Sequence, residues 1–209
     1  MIGSSIITVL VVDDHPFMRS GLAGEINSHP DMRVVAEAND GRECLERFRE
    51  LLPDVTLLDL RMPNMNGLDA LRAIREVKPD AKVIILTTLV GDVQVYRALQ
   101  AGAMGYLLKN LLQDELADTV RAVMKGKRRM PPEIAAEIAV HATDENLTER
   151  ELSVLRAISK GCSNKMIGAE LGISEHTIKN HVQSILAKLG ANDRTHAVTI
   201  ALQRGFIEM

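Results

Sequence analysis

Three carboxylates stand where short apolar runs of the chain end. Asp59 closes one such run and is followed at once by a loop that contains Pro63 and Gly67. Asp13 and Asp14 close an earlier run. Three neighbouring carboxylates repel one another unless a cation lies between them, and hard oxygen ligands of this kind suit Mg²⁺. These residues therefore predict a magnesium site, provided that the fold brings the ends of the two runs together.

A hydroxyl and an ammonium group follow two later apolar runs. Thr87 offers a hydroxyl donor, and Lys109 offers a point charge that suits a phosphate oxygen. A carboxylate beside a metal ion and such donors can act as a nucleophile toward a phosphoryl group. We therefore predict that Asp59 accepts a phosphoryl group and that Asp13 and Asp14 help to hold the metal.

Each of these residues also has an ordinary structural explanation. An aspartate that ends a strand, such as Asp59, commonly forms a cap or a turn, and the pair Asp13-Asp14 could cap a helix. Thr87 could simply pack within a strand, and Lys109 could be solvated. Their joint occurrence at the ends of different strands favours a shared site over independent structural roles.

The elements that would position these residues follow from the apolar pattern of residues 1–126. Continuous rather than alternating apolar runs indicate strands buried on both faces, and hence a parallel sheet between two layers of helices. Strands that alternate with helices predict an α/β fold, an open doubly wound (βα)5 domain whose strands all end at one edge. The predicted strands span 7–12, 33–37, 54–59, 82–87 and 104–108. The predicted helices span 16–28, 41–51, 67–77, 92–101 and 113–125.

Residues 127–146 are predicted to form a linker of partly helical character. It begins with a basic run, Lys127-Arg128-Arg129, which we expect to be solvated. Pro131 and Pro132 break regular structure, and a short helix is predicted after them. The linker therefore separates the α/β domain from a second domain.

Residues 147–209 predict an all-α domain of four helices. Thr148 and Glu151 have the spacing of a capping box, and Gly172 ends the second helix. Two helices joined by a short glycine-containing turn form a helix-turn-helix pattern, whose third helix, about 175–189, would enter the major groove. A helical packing module with a solvated polar face is the alternative. The polar face of the third helix carries residue types that read base edges and phosphates: His176, Thr177, Lys179, Asn180 and Gln183.

Composition sets weaker bounds on function. The net charge of −3 is unevenly distributed, because residues 147–209 carry 8 Lys and Arg against 6 Asp and Glu, whereas the remainder carries 17 against 22. This bias is typical of a polyanion-binding second domain. Cys44 and Cys162 lack zinc-site spacing, and we expect reduced thiols in the cytoplasm. No signal peptide or membrane span is expected.

Four segments together resemble the receiver domain of two-component response regulators. They are VVDDHP at 11–16, LDLRMP at 58–63, LTT at 86–88 and GYLLK at 105–109. The resemblance implies that a histidine kinase phosphorylates Asp59. It also implies a set of Mg²⁺ ligands: Asp14, Asp59, the backbone carbonyl of Arg61, and Asp13 through water.

The same resemblance assigns the signalling residues. Thr87 and Tyr106 would form the switch, and Lys109 would contact the phosphoryl group. Two positions depart from the family pattern. Thr88 replaces a residue that is commonly small, which could narrow access to the phosphoryl group. Asn110 replaces a proline that commonly follows a cis peptide, and a cis bond before another residue costs about 3 kcal/mol.

The second domain resembles the LuxR-type DNA-binding domain, and the whole chain resembles a NarL/FixJ-type response regulator. The resemblance rests on LTERE at 147–151, SNKMI at 163–167 and SEHTIKNHV at 174–182. It implies dimerisation through the last helix. Gly168 stands where the family commonly has alanine, which should weaken its helix by about 1 kcal/mol. The implied base-edge contacts come from Lys179, Asn180 and Gln183, and the implied DNA-backbone contacts from Lys165 and Thr177.

We therefore predict a phosphorylation-controlled transcription regulator rather than an enzyme. Its expected partners are a histidine kinase, double-stranded DNA and, once phosphorylated, a second copy of the chain. In resembling proteins the unphosphorylated receiver often covers the recognition helix, and phosphorylation releases it. Two alternatives remain: an aspartate-phosphatase-like enzyme that uses Asp59 on a small substrate, and an interaction protein whose second domain binds another protein.

Overall fold

The computed structural model describes residues 6–87, 92–109, 112–132, 134–136 and 147–207. The chain separates into two compact units, the first of residues 1–90 and 95–136 and the second of residues 91–94 and 137–209. Within the described residues, no helix is both long and apolar enough to span a bilayer.

The first unit contains a parallel sheet of five strands in the order β2-β1-β3-β4-β5, and this confirms the predicted α/β fold. The strands are β1 (Ile7–Val12), β2 (Met32–Ala38), β3 (Val55–Asp59), β4 (Val83–Thr87) and β5 (Gly105–Leu108). The helices between and after them are α1 (Pro16–Ser28), α2 (Gly41–Leu51), α3 (Gly67–Val77), α4 (Asp92–Gln100) and α5 (Leu112–Met124). All these bounds lie within about one residue of the predicted ones.

The strands are buried on both faces, as their continuous apolar runs predicted. Val9 and Leu57 belong to one apolar cluster together with side chains of α1 and α5. Leu10 and Leu58 are equally buried, and strand alternation turns them to the opposite face. Burial on both faces holds the strands in a fixed register. In the parallel ladder of β3 and β4, Asp59 pairs with Leu86, next to Thr87 at the end of β4.

The stretch after α5 continues the first unit beyond the predicted domain end at residue 126. Arg129 forms an isolated parallel bridge with Gly105 at the outer edge of β5. The Arg129 N–H donates to the Met104 carbonyl at 3.1 Å, and the Arg129 carbonyl accepts from the Tyr106 N–H at 2.9 Å. The basic run therefore ends in backbone pairing of Arg129 to the sheet. The helix predicted near 133–140 lies largely outside the described residues.

The second unit is built from the predicted four helices. They are α6 (Glu149–Ser159), α7 (Asn164–Leu171), α8 (Glu175–Leu189) and α9 (Arg194–Gln203). Thr148 and Glu151 form the predicted capping box at the start of α6. Ser163 and Ser174 cap α7 and α8, and Gly172 ends α7 in the left-handed conformation.

The helices of the second unit enclose their own apolar core. Ile178, Ile185 and Leu189 place one stripe of α8 in this core. Gly168 of α7 is buried, and a Cβ at this position would lie 2.7 Å from the Ile173 carbonyl oxygen. The glycine therefore allows a close approach of the turn to α7, which offsets the helix propensity that it lacks relative to alanine.

Candidate functional site

The carboxyl edge of the sheet brings two of the predicted carboxylates and the predicted lysine together. The carboxylate of Asp13 is fully buried, and the side chain of Asp59 is 6% exposed. Lys109, which follows β5, places its Nζ 2.7 Å from Asp59 Oδ2 and 2.7 Å from Asp13 Oδ2. The contact with Asp13 is an ion pair between two buried groups. One ammonium group thus neutralises part of the charge of two buried carboxylates.

Burial and the lysine act in opposite directions on the phosphoacceptor candidate. Burial raises the pKa of Asp59, and the neighbouring charge of Asp13 adds to this, whereas the hydrogen bond from Lys109 opposes it. Burial alone would lower the pKa of Lys109, but its interactions with Asp13 and Asp59 outweigh burial and raise that pKa. The two carboxylates therefore favour the protonated form of Lys109, and its ammonium group opposes the effect of burial on the pKa of Asp59.

Asp14 and His15 form the more exposed side of the acidic cluster. His15 Nδ1 lies 2.7 Å from Asp14 Oδ1, and the His15 N–H donates to Asp13 Oδ1 at 2.9 Å. Ligand atoms of Asp13, Asp14, His15 and Asp59 all lie within 4.8 Å of one another. The mainly carboxylate donor set, which includes the fully buried Asp13, fits a hard divalent cation.

The loop of residues 60–66 closes on the carboxyl end of β3. The Arg61 N–H donates to Asp59 Oδ1 at 3.3 Å, and the Gly67 N–H donates to the Leu60 carbonyl at 3.0 Å. A Cβ on Gly67 would overlap the Asp59 carbonyl oxygen, so only glycine fits where the loop returns. The loop therefore places the backbone of Arg61 beside Asp59.

The same loop is tied to the first turn of α2. Asp40 caps this helix through Oδ1, which accepts from the N–H groups of Arg42 and Glu43 at 2.8 and 2.9 Å. Asp40 Oδ2 accepts from Asn64 Nδ2 at 2.8 Å. The Gly41 N–H donates to the carbonyl of Met65 at 3.1 Å. These bonds with Arg42 N–H, Glu43 N–H and Asn64 lower the pKa of the Asp40 carboxyl.

Of the two predicted switch residues, Thr87 is the last residue of β4 and Tyr106 lies within β5. Thr87 is 8% exposed, and its carbonyl accepts from the Lys109 N–H at 2.8 Å. Tyr106 is 1% exposed, and its hydroxyl donates to the Val95 carbonyl of α4 at 3.1 Å. Burial raises the pKa of this phenol. Thr88 and Asn110, the two departures from the family pattern, lie outside the described residues.

The second unit displays the predicted polar face of α8 to solvent. Lys179, Asn180 and Gln183 are exposed, and Lys165 is exposed near the start of α7. Thr177 is half-buried, and its hydroxyl lies 2.8 Å from that of Ser174. Four of the five predicted DNA-contacting side chains are therefore accessible at the surface of the helix-turn-helix, and Thr177 is partly accessible.

A buried carboxylate fixes α8 from the opposite side. Glu151 is 3% exposed and accepts from Thr148 N–H at 2.7 Å, as the capping box requires. It also accepts from Ser184 Oγ at 2.6 Å and from Lys188 Nζ at 2.9 Å, one helical turn apart on α8. These donors outweigh burial and lower the pKa of Glu151 to about 2. The carboxylate of Glu151 therefore fixes the orientation of α8, the predicted recognition helix, about its own axis relative to α6.

Comparison with known proteins agrees with this architecture. The model of the response regulator receiver domain matches residues 9–121, and the model of the bacterial regulatory proteins of the luxR family matches residues 145–201. An acidic pocket on a receiver fold, followed by a helix-turn-helix, defines a response regulator. The chain belongs to the response regulators that join a receiver domain to a LuxR-type DNA-binding domain.

Individual relatives are similar over nearly their whole length. The transcriptional regulatory protein LiaR of Bacillus subtilis is 41% identical over 203 residues, which are 93% of this chain and 96% of LiaR. The crystal structure of ChrA, a response regulator in a heme-sensing two-component system, is 37% identical with a TM-score of 0.59, covering 97% of this chain and 100% of ChrA. RcsB from Salmonella enterica serovar Typhimurium, bound to promoter P1flhDC with phosphomimetic BeF3−, is 25% identical with a TM-score of 0.73, covering 93% and 97%. These relatives and both family models are regulatory, and neither model indicates an enzyme.

Sequence reasoning missed several residues of the two sites. Asp40 was not among the predicted site residues, and no pattern pointed to its bond with Asn64. Glu151 was predicted only within its capping box, although its carboxylate also holds Lys188. His15 stood inside a motif without an assigned role. The missed contacts of Asp40 with Asn64 and of Glu151 with Lys188 join positions that are far apart in sequence and have no characteristic spacing.

Proposed function

We propose that Asp59 accepts a phosphoryl group from a histidine kinase, with Mg²⁺ as cofactor, and that the phosphorylated protein binds DNA as a dimer. The observation that best supports this is the lysine shared by two buried carboxylates. Lys109 Nζ lies 2.7 Å from both Asp59 Oδ2 and Asp13 Oδ2, in a pocket at the carboxyl edge of the sheet. A buried anion held in this way is suited to nucleophilic attack.

The residues that would hold Mg²⁺ surround Asp59 on the side away from the core. Asp14, Asp59 and the backbone carbonyl of Arg61 would ligate it, and Asp13 would act through water. When bound, the ion would neutralise charge on the oxygens of the transferring phosphoryl group. The buried carboxylate of Asp13 and the loop that places the Arg61 backbone beside Asp59 support this assignment.

Two side chains of the protein take part in the transfer: Asp59 is the nucleophile, and Lys109 is the cation that interacts first with Asp59 and then with the phosphoryl group. A carboxylate oxygen of Asp59 bonds to phosphorus while the phosphorus–nitrogen bond of the kinase phosphohistidine breaks, and the imidazole nitrogen keeps the electron pair. Lys109 keeps Asp59 ionised before the reaction and can turn its ammonium toward a phosphoryl oxygen afterwards. Asp13 then remains the partner of Lys109.

Thr87 and Tyr106 would respond to the negative charge that phosphorylation adds at Asp59. Phosphorylation adds about −1.5 to −2 charge, and the Thr87 hydroxyl at the end of β4 is a suitable donor to it. Tyr106 links β5 to α4 through its bond with the Val95 carbonyl. A change at Thr87 would therefore alter the surface formed by α4, β5 and α5, and a bias of a few kcal/mol suffices for such a population shift.

In the DNA-binding domain, Lys179, Asn180 and Gln183 would contact base edges, and Lys165 and Thr177 would contact the DNA backbone. The exposure of Lys165, Lys179, Asn180 and Gln183 on the two helices of the helix-turn-helix supports this assignment. Dimerisation through α9 would place two such faces on a two-fold-related site. A regulator that binds chromosomal DNA in this way acts in the cytoplasm.

Phosphorylation is tested by incubating the protein with Mg²⁺ and a small phosphodonor. We expect one added phosphoryl group by intact-mass measurement, and none in Asp59→Ala. Asp69→Ala, on the exposed first turn of α3, is the matched control and should be labelled like wild type. Equal labelling of Asp59→Ala and wild type would show that the site assignment is wrong.

Coupling to DNA binding is tested by sedimentation and DNA affinity with and without the phosphodonor. We expect the phosphorylated protein to be dimeric and to bind its site more tightly, and Thr87→Ala to respond less. If oligomeric state and affinity are identical in both conditions, the release of the recognition helix by phosphorylation is contradicted.

A further inference from the structure

One buried carboxylate outside the acidic pocket reaches the loop that presents Arg61. Asp40 is 9% exposed, and its two oxygens have different partners. Oδ1 caps α2, whereas Oδ2 crosses 24 positions of sequence to accept from Asn64 Nδ2 at 2.8 Å. Capping α2 requires only the first oxygen, so the second is available to act on the loop.

The loop is attached to the domain at its two ends and at its middle. Its two ends meet at the end of β3, where Gly67 lies against the carbonyl oxygen of Asp59. Its middle is held at α2, by Asp40 on Asn64 and by the Gly41 N–H on the Met65 carbonyl. Arg61 lies between these two attachments, so the direction of its carbonyl depends on both.

The backbone conformation of Asn64 points to the same role. Its φ is +63°, in the left-handed region that residues other than glycine rarely adopt. Asparagine tolerates this region, and its amide is oriented to donate to Asp40. An unfavourable backbone conformation of this kind is maintained only where surrounding contacts stabilise it.

We propose that Asp40 is a positioning residue for phosphoryl acceptance: it holds the loop of residues 60–66, through Asn64, in the shape that turns the Arg61 carbonyl toward the metal. This inference rests on the proposed function of Asp59. Asp40 does not touch the reacting atoms. Its effect passes through the loop to the affinity for Mg²⁺, and a group that orients a metal ligand typically contributes about tenfold or more to that affinity.

Two single variants separate the loop contact from the helix cap. Asn64→Gly removes the side-chain amide, and glycine adopts the positive φ of this position without strain. Asp40→Ser keeps a good capping oxygen but is too short to reach Asn64. Asp193→Ser is the matched control, because Asp193 caps α9 through two N–H groups with nearly the same backbone angles as Asp40, φ −153° and ψ 176°.

The affinity of the unphosphorylated full chain for Mg²⁺ alone is measured by NMR titration of backbone amides. We expect on the order of tenfold weaker binding in Asn64→Gly and in Asp40→Ser, and no change in Asp193→Ser. The double variant Asp40→Asn with Asn64→Asp exchanges donor and acceptor and should recover most of the lost affinity. The rate of labelling by a small phosphodonor should fall at low Mg²⁺ in the single variants and recover when Mg²⁺ is saturating.

Three results would overturn the inference. The first is unchanged Mg²⁺ affinity in both single variants, while wild type binds Mg²⁺ and is phosphorylated. The second is a labelling rate that remains low at saturating Mg²⁺, which would indicate general damage to the domain. The third is no recovery in the exchanged double variant. Failure of wild type itself to bind Mg²⁺ or to be phosphorylated would instead contradict the proposed function.

Discussion

Replacing Glu151 by glutamine tests how strongly one buried carboxylate stabilises the DNA-binding domain. The carboxylate accepts from Thr148, Ser184 and Lys188, and these donors hold its pKa at about 2 instead of 4.5. Because the folded pKa is lowered, the stabilisation is present above the unfolded pKa of 4.5 and is lost as pH falls toward 2. Glutamine has nearly the same size, so the variant removes the charge with little loss of packing.

The size of the effect follows from the pKa difference. About 2.5 pH units correspond to roughly 3 kcal/mol at pH 7, at 1.36 kcal/mol per unit. The same linkage leaves about 1.5 kcal/mol at pH 3, where the unfolded carboxyl is already protonated. Glu151→Gln should therefore lower the free energy of unfolding of this domain by up to about 3 kcal/mol at pH 7, and by about half of that at pH 3.

The assay is urea unfolding of the full chain, followed through the methyl NMR signals of Ile178 and Ile185 in the core of the second unit. Glu170→Gln, on the exposed side of α7, is the control and should change stability by less than about 0.5 kcal/mol. An equal loss at pH 7 and pH 3 would show that Glu151 acts by shape and not by charge. No loss at pH 7 would refute the role of its bonds to α8.

Further predictions concern the helix-turn-helix. Lys179→Ala should cost about 1–3 kcal/mol on the specific site and relax sequence preference, whereas Lys165→Ala should weaken binding to all sequences alike and lower the salt slope by about one. Equal effects of Lys179→Ala on specific and random DNA, measured by titration at several salt concentrations, would contradict its placement in the groove. Gly168→Ala should lower the thermal stability, because the clash with the Ile173 carbonyl costs about 1–3 kcal/mol against a helix gain of about 1 kcal/mol. A higher melting temperature would show that the turn yields easily.

Sequence reasoning found most of the fold because the decisive signals were local. The apolar run that ends at Asp59 identified a buried strand, and its carboxyl end had to lie beside those of its parallel neighbours. Gly172 marked the end of one helix and Thr148 marked the start of another by their own backbone and side-chain chemistry. Such features depend on a few consecutive residues.

The contacts that were missed depend on how separate elements meet. The bond from Asn64 to Asp40 requires the β3–α3 loop and the first turn of α2 to pack together. The pairing of Arg129 with β5 requires the chain to return along the edge of the sheet after α5. Neither has a fixed spacing, and single polar side chains of these types have many equally good partners in water. Only the packed fold selects among them.

The buried phenol of Tyr106 also gives the molecule an intrinsic optical reporter. The chain contains two tyrosines and no tryptophan, so its near-ultraviolet fluorescence arises almost entirely from Tyr96 and Tyr106. Tyr96 is 43% exposed on α4, whereas Tyr106 is shielded and donates its hydroxyl proton to a carbonyl oxygen. Tyr96→Phe would leave one emitter, inside the domain that receives the signal. Its intensity and lifetime would then follow the environment of β5 in real time, without a dye or a label.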